Sequence, residues 1–447
     1  MLLDVNAARA LMADSLGFHI IFALLGVGLP LVILLIEHLG LRRNDPVILE
    51  HARRLSYAAV ILVVAGVASG TIISIQMSLM WGGLVEFGGR ILGLAFGWEG
   101  YAFMLEAVFL AFYVTTWKKL KGWRHWWIGV PVAIGSLGSA FAITLGNAWM
   151  QNPSGFEVIN GVATTDNPIA ALMTKTAFYM IAHSVAGYYL ATMLCVLGVY
   201  AFYRLKYKPV GKDKVAVEQI MFRLSATAVF FIVVTATLGH FQTQYLAESQ
   251  PRKFAALEMN EKTQTNAPYI IGGHWTEDGK VEGGIKIPGM LSFLAGNSFD
   301  AEVKGLNEFS KDTWPMMFIN VLFEAKLLIV SIFSSVTILF VALHFKRLKE
   351  RTRSFRYSRL FLWALLPLGP LAIITVELGW MVAEFGRQPF VVNGYLRTAQ
   401  AYIAESAIGN WGYVFPVLFV LLFITTATAL WLLFKREGRI RPIKELK

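Results

Sequence analysis

Cysteine is nearly absent from this chain: Cys195 is the single one among 447 residues, and it lies inside an apolar run. One thiol excludes an internal disulfide, a cysteine-built metal cluster and haem attachment through C-x-x-C-H. Charge is scarce as well. Only 15% of residues are Asp, Glu, Lys or Arg while 56% are hydrophobic, a balance found in integral membrane proteins and not in soluble domains. The N-terminal stretch has no basic segment followed by a short apolar run and a small-residue cleavage site. Asp4, Arg9 and Asp14 precede the first long apolar run instead, so no removable signal peptide is expected. No internal repeat and no soluble domain are evident. Histidines at H-x-x-x-H spacing are missing too, which argues against zinc.

What the chain does have is long apolar runs. Nine are long enough to cross ~30 Å of hydrocarbon, at about 15–37, 57–80, 97–117, 127–149, 178–203, 219–240, 317–344, 360–384 and 411–434. The net charge of +11 comes mostly from basic residues beside these runs, so it is a topological signal and not a nucleic-acid surface. Arg42, Arg43, Arg53 and Arg54 stand between the first two runs, and Lys118, Lys119, Lys121 and Arg124 between the third and fourth. Arg204, Lys206, Lys208, Lys212 and Lys214 follow the fifth. Lys346, Arg347, Lys349, Arg351, Arg353 and Arg356 follow the seventh, and Lys435, Arg436, Arg439 and Arg441 the ninth. The alternate connections are poor in them. The positive-inside rule then puts the N-terminus outside and the C-terminus in the cytoplasm. The chain divides into residues 1–240 with six spans, an extracytoplasmic loop at 241–316, and residues 317–447 with three spans. That loop is far longer than a connection needs. It is expected to open with a short amphipathic helix after Pro251 and to continue irregularly through its Gly-, Asn- and Thr-rich remainder.

Polar residues inside the runs are the informative ones, because a bilayer makes them costly unless they face a protein interior, a metal or a proton path. Glu377 and Glu384 are seven residues apart in ELGWMVAEFGRQPF, on one helical face with Trp380 between them and Arg387 in the following turn. His19 opens the first run, Glu99 and Glu106 the third, and His183 the fifth. With the inferred topology, two histidines and four carboxylates converge near the outer side. Isolated His and Glu on separate apolar helices suit axial ligation of haem iron, and carboxylates at depth suit a proton route. Taken singly, each has an ordinary structural reading. His38, His51 and His125 fall at the basic ends and are expected to be solvated, while His240 and His274 carry no assignment.

GRQPF at 386–390, GNAWMQNP at 146–153 and ESQPRKFAALE at 248–258 make the chain resemble subunit I of the cytochrome bd quinol oxidases. The likeness runs on through HIIFALLGVGLP at 19–30, GVASGTIISIQMSLMW at 66–81 and EGYAFMLE at 99–106. It covers essentially the whole chain, with the short type of quinol loop. The resemblance implies an all-α, polytopic, multi-pass protein of a bacterial or archaeal cytoplasmic membrane, with about nine transmembrane helices enclosing haems. It implies that His183 ligates a low-spin haem b, and that His19 and Glu384 ligate two high-spin haems, one b and one d or a further b. Glu99 and Glu106 match acids between those haems and the proton supply. Glu377 and Trp380 line the same cluster, with Arg387 in the adjoining motif. Lys253 and Glu258 match the pair that serves quinol.

The chain departs from the family in one place. The family's second ligand to the low-spin haem is a methionine, and NVLFEAKLLIV at 320–330 has none. Lys326 falls at or beside that position, either as a neutral ligand or paired with Glu324. The implied activity is oxidation of menaquinol or ubiquinol at the outer face and reduction of dioxygen to water, with a proton gradient built by vectorial chemistry. The implied partners are a second membrane subunit and small accessory subunits. Two other readings are a divergent oxidase with altered haems or electron donor, and a proton or ion transporter working through the buried acids.

Overall fold

The computed structural model describes residues 5–345, 348, 351–402 and 411–436. The chain begins with four long helices: α1 (Val5–Arg43), α2 (Pro46–Met80), α3 (Gly82–Thr116) and α4 (Trp123–Gln151). A two-stranded hairpin, β1 (Glu157–Ile159) and β2 (Val162–Thr164), and a short α5 (Pro168–Leu172) lead into α6 (Lys175–Tyr207) and α7 (Gly211–Ser249). The long connection holds α8 (Pro251–Leu257), a second hairpin of β3 (Tyr269–Trp275) and β4 (Val281–Ile287), and α9 (Met290–Gly296). Then come α10 (Ile319–Ala342), α11 (Arg353–Arg356), α12 (Arg359–Leu365) and α13 (Leu368–Phe385). A small hairpin, β5 (Phe390–Val392) and β6 (Leu396–Arg397), precedes α14 (Thr398–Ala401) and α15 (Trp411–Arg436). Among the described residues, nine helical segments are long and apolar enough to cross a membrane, α12 and α13 together making the eighth.

Local chemistry sets the ends. Asp45 accepts from the Val47 N–H with Pro46 at the first turn of α2, and Thr174 and Ser358 cap α6 and α12 in the same way. Most spans run longer than their apolar stretches, because the helices continue past the hydrocarbon into polar ends. Hydroxyls along them bond to carbonyls one turn back, as Ser69 does to Ala65 at 2.8 Å and Thr144 to Ala140 at 2.7 Å. That satisfies polar groups which hydrocarbon would leave bare.

α1 and α6 form the middle of the bundle. The most apolar stretch of α6 is 72% buried against 11% for α15, so α15 is peripheral and α6 is enclosed. The two central helices meet at Gly28. A Cβ there would lie 2.0 Å from Thr192 Oγ1, and that hydroxyl is bonded to the carbonyls of Leu24 and Tyr188 at 3.1 and 2.9 Å.

Three expectations change. α3 starts at Gly82, so Glu99 sits at its midpoint and Glu106 two turns deeper, not at its outer end; the glycine-rich GGLVEFGGRILG stays helical because its neighbours enclose it. The segment after α7 is ordered. Residues 241–249 extend α7, and Lys253 to Leu257 of α8 are all buried, so α8 has no solvated face. The remainder is a hairpin closed at Asp278–Gly279, with Gly279 at φ +80°, and an Asp-Gly between two Gly/Ile runs is the signal that could have revealed it. Finally, His51 and His125 are only 5% and 2% exposed; each bonds to an acid, His51 to Asp213 and His125 to Glu37. Lys346, Arg347, Lys349, Arg439 and Arg441 lie outside the described residues.

Gly28→Val should overpack the α1–α6 contact at a cost of about 1–3 kcal/mol or more. The expected result is a lower Tm and reduced yield of detergent-solubilised protein, measured by thermal aggregation.

Candidate functional site

His19, on α1, is oriented by α2. Its Nδ1 lies 2.8 Å from Ser69 Oγ. That hydroxyl already donates to the carbonyls of Ala65 and Gly66, so it accepts from His19, and the imidazole carries its proton on Nδ1. Nε2 is left with a bare lone pair and no described protein partner. Gly70 allows the ring to lie against α2, since a Cβ there would stand 3.3 Å from His19 Cε1. Glu377 reaches the same place from α13: its Oε2 is 3.8 Å from where Gly17 would carry a Cβ, and its Oε1 is buried without a partner. One turn on, Trp380 Nε1 donates to the Tyr188 hydroxyl of α6 at 2.8 Å.

His183, on α6, follows the same logic against α7. Its Nδ1 lies 3.1 Å from the Thr235 carbonyl, which only accepts, so Nδ1 again holds the proton and Nε2 is bare. Gly239, one turn from Thr235, lets the ring approach; its Cβ would be 3.1 Å from His183 Cε1. Lys326 on α10 points into this region. Its Nζ would be 3.7 Å from a Cβ on Gly379 of α13. The expected alternative of a Lys326–Glu324 pair does not form. Glu324 instead accepts from the Gly272 N–H of β3 with both oxygens, at 2.9 and 3.0 Å.

Glu384 is gripped from both sides at the end of α13. Asn147 Nδ2 donates to one oxygen at 2.6 Å and Arg387 Nη2 to the other. Arg387 is 6% exposed, and its Nε and Nη1 are buried without partners. Gln151, one turn from Asn147 on α4, donates to the Ala383 carbonyl at 2.9 Å and accepts from Lys253 Nζ at 3.0 Å. Lys253 donates to the Ala383 carbonyl as well, at 3.0 Å. The cap formed by the long connection is thereby joined to the acid of α13 through one polar chain. Asn147 and Gln151 were visible in GNAWMQNP, but their roles were not, because nothing in sequence says which helix they face. Ser69, Thr235 and Tyr188 gave no distinguishing signal.

Lys253 and Glu258 do not point the same way. Lys253 turns to α4 and α13, and burial pushes its pKa down to about 7, opposed by Glu384 and reinforced by Arg387. Glu258, 5% exposed, faces Glu324 and Tyr269; burial first and Glu324 second push its pKa up to about 8. Glu106 is 2% exposed with Oε1 unpartnered. It sits where Gly135 of α4 touches α3, since a Cβ on Gly135 would be 2.7 Å from the Glu106 nitrogen. That is about three turns of α4 from Asn147. The sequence-derived residues therefore gather as a band around His19, Glu377 and Glu384, with His183 and Lys326 beside it and Glu106 below.

The family model described as cytochrome bd terminal oxidase subunit I matches residues 7–438. The chain is 34% identical over 425 residues to a Bacillus subtilis (strain 168) protein named "Putative cytochrome bd menaquinol oxidase subunit I", covering 94% of each. It is 28% identical over 453 residues to cytochrome bd ubiquinol oxidase subunit 1 of the same organism, covering 97% of this chain and 93% of the relative. Among solved structures, the bd oxidase from Geobacillus thermodenitrificans superposes with a TM-score of 0.90 at 34% identity, over 97% of this chain and 98% of that one.

Gln151→Leu would strand the Lys253 ammonium and remove a donor from the Ala383 carbonyl, both buried. The expected loss is about 1–3 kcal/mol, read as a fall in Tm of the purified protein.

Proposed function

The chain belongs to the cytochrome bd terminal oxidase subunit I family, and on that premise we propose that it is the haem-bearing subunit of an oxidase that takes electrons from quinol and reduces dioxygen to water. Family membership decides against the transporter reading. The observation that carries the haem assignment is the state of two half-buried histidines, His19 and His183. Each gives its Nδ1–H to a protein acceptor on a neighbouring helix and keeps Nε2 bare, which is how a protein orients an imidazole for iron.

The donor set fits haem in other respects. Glu384 is a carboxyl held by two donors and retains lone pairs for a metal. Arg387 keeps two buried donors unpaired, suited to a propionate. We assign His183 to the low-spin haem b, and His19 and Glu384 to the two high-spin haems, one b and one d or a further b. When bound, haem supplies the one-electron transfer and dioxygen chemistry that no side chain offers. Lys326 would supply a further ligand to the haem held by His183, since its Nζ reaches α13 at Gly379 without an acid partner among the described residues. A primary amine in place of a thioether lowers the potential of that centre, since Met ligation raises it.

Around the haems, the protein's own groups handle protons. In the orientation that the basic connections favour, the cap over α8 faces outward and the C-terminus lies in the cytoplasm of a bacterial or archaeal cell. Quinol, as menaquinol or ubiquinol, then binds beneath the cap. Glu258 acts as proton acceptor, and Lys253 supplies a positioning charge tied to Glu384 through Gln151. Trp380 and Glu377 wall the high-spin side, and Glu99 and Glu106 bring protons from the opposite side. Releasing protons outside and consuming them from inside builds a gradient without a pump. The family likeness also implies a second membrane subunit and small accessory ones.

The first test is a reduced-minus-oxidised spectrum of the purified complex with pyridine haemochrome quantitation. We expect three haems per chain and a low-spin b signal that His183→Ala removes; a colourless protein sinks the reading. Lys326→Ala should turn the low-spin signal high-spin, and Lys326→Met should raise its midpoint potential, whereas an unchanged spectrum would exclude ligation. A further test uses pH. Glu258 must be ionised to accept a proton, and that form grows as pH rises through about 8. Quinol oxidation should therefore accelerate over that window, and Glu258→Gln should flatten the rise and slow turnover about a hundredfold.

A further inference from the structure

A second cluster of titratable groups lies at the opposite, basic end of the bundle. Glu37 of α1, Tyr113 of α3 and His125 of α4 are 1%, 2% and 2% exposed, and each is bonded to the others. His125 Nε2 is 2.9 Å from the Tyr113 carbonyl. A carbonyl only accepts, so Nε2 carries a proton. On the other side of the ring, Nδ1 is 2.7 Å from Glu37 Oε1. Two bare lone pairs would repel at that distance, so one proton sits between them: either on Nδ1, giving imidazolium and carboxylate, or on Oε1, giving neutral imidazole and carboxylic acid. The Tyr113 hydroxyl donates to the other oxygen of Glu37 at 2.6 Å. The Tyr113 and Trp117 rings cover the imidazole at centroid distances of 4.4 and 4.1 Å, keeping bulk water off the pair.

We propose that Glu37 and His125 form a site that stores one proton and passes it through the Tyr113 hydroxyl to Glu106. This rests on the oxidase reading and deepens it by naming where protons for water are taken up. Three features of placement support it. Glu99, Glu106 and Tyr113 are spaced by seven along α3, so they form one stripe with about 10 Å between successive members. Glu106, the next group along it, has a buried oxygen with no partner, a site for a bridging water. The pair also lies at the end where Arg42, Arg43 and Arg124 stand, the end assigned to the cytoplasm.

The step conserves protons. With the proton on Glu37, rotation of the carboxyl turns its O–H from Nδ1 to the Tyr113 hydroxyl, which accepts that proton as it releases its own, through a bridging water, to Glu106. The pair is then one proton short and left with facing lone pairs, a state relieved by taking a proton from the basic end. Neighbouring charged groups are engaged elsewhere. His38 accepts from Arg42 at 3.3 Å, and Arg53 and Arg54 of α2 are bonded to Glu50.

The test uses the complete oxidase in liposomes, with proton uptake followed by a pH-sensitive dye as the fully reduced enzyme meets dioxygen. Glu37→Gln keeps the geometry, because an amide can donate to Nδ1 and accept from Tyr113, but it cannot pass a proton. Expected are proton uptake and turnover slowed about tenfold or more, a larger H2O/D2O rate ratio, and loss of one carboxyl band from the redox infrared difference spectrum. Haem content and reduction by quinol should match wild type. Tyr113→Phe, which deletes one hydroxyl, should slow uptake severalfold and decides the matter if Glu37→Gln fails to assemble. Wild-type uptake in these variants would overturn the proposal, as would slowing that comes only with lost haem or impaired reduction by quinol. A wild-type complex that consumes no dioxygen would overturn the oxidase reading together with it.

Discussion

A polar side chain inside a bilayer has no water to turn to, so it must find its partner on another helix or within the group it serves. The bundle follows from that constraint. Where a partner exists, it stitches helices together: Thr192 of α6 bonds to α1, Trp380 of α13 to α6, and Asn147 of α4 to Glu384 of α13. Other buried polar atoms lack a partner among the described residues, from those of Gln76 and Trp149 to members of the candidate site. Glu377 Oε1, Glu106 Oε1 and two nitrogens of Arg387 are buried and unsatisfied, and each would cost about 1–3 kcal/mol if left so. In the candidate-site residues this cost is what a bound group or a water would relieve.

The cap of the long connection is coupled to this site and does not merely cover it. Lys253 leaves the short helix after Pro251 and enters the space between α4 and α13, where Gly386 makes room for it; a Cβ on Gly386 would lie 2.5 Å from Lys253 Cε. Its bonds to Gln151 and the Ala383 carbonyl put a basic group one hydrogen-bonded step from the residues that hold Glu384. A change of charge in the cap can therefore be felt at α13 through a fixed chain of dipoles. Glu258, facing Glu324 and Tyr269, belongs to a separate wall of the cap. The two loop residues that look like one pair in sequence serve two surfaces in space.

Much of the architecture was legible beforehand because a bilayer imposes a length on every apolar run. Nine runs match nine helical segments long enough to cross a membrane among the described residues, and the polar exceptions within them, His19, His183, Glu377 and Glu384, are the candidate-site residues. Burial was harder to read. His125 sits among arginines and lysines and looks solvated, yet its third dimension holds Glu37 and Tyr113. The loop hairpin was hidden because its glycines read as irregular chain, although Asp278–Gly279 marks its turn.

By itself the sequence determined the membrane character, the number of spans, the family likeness and the identity of the intramembrane acids and histidines. These depend on residue type and on spacing along one helix, which are local properties. Only the tertiary structure decided which nitrogen of each histidine is free, which atoms grip Glu384, where Lys253 points and that Glu37 shares a proton with His125. Each of those depends on the partner that a neighbouring helix presents at a given depth and rotation, and helices far apart in the chain acquire that relation only by packing.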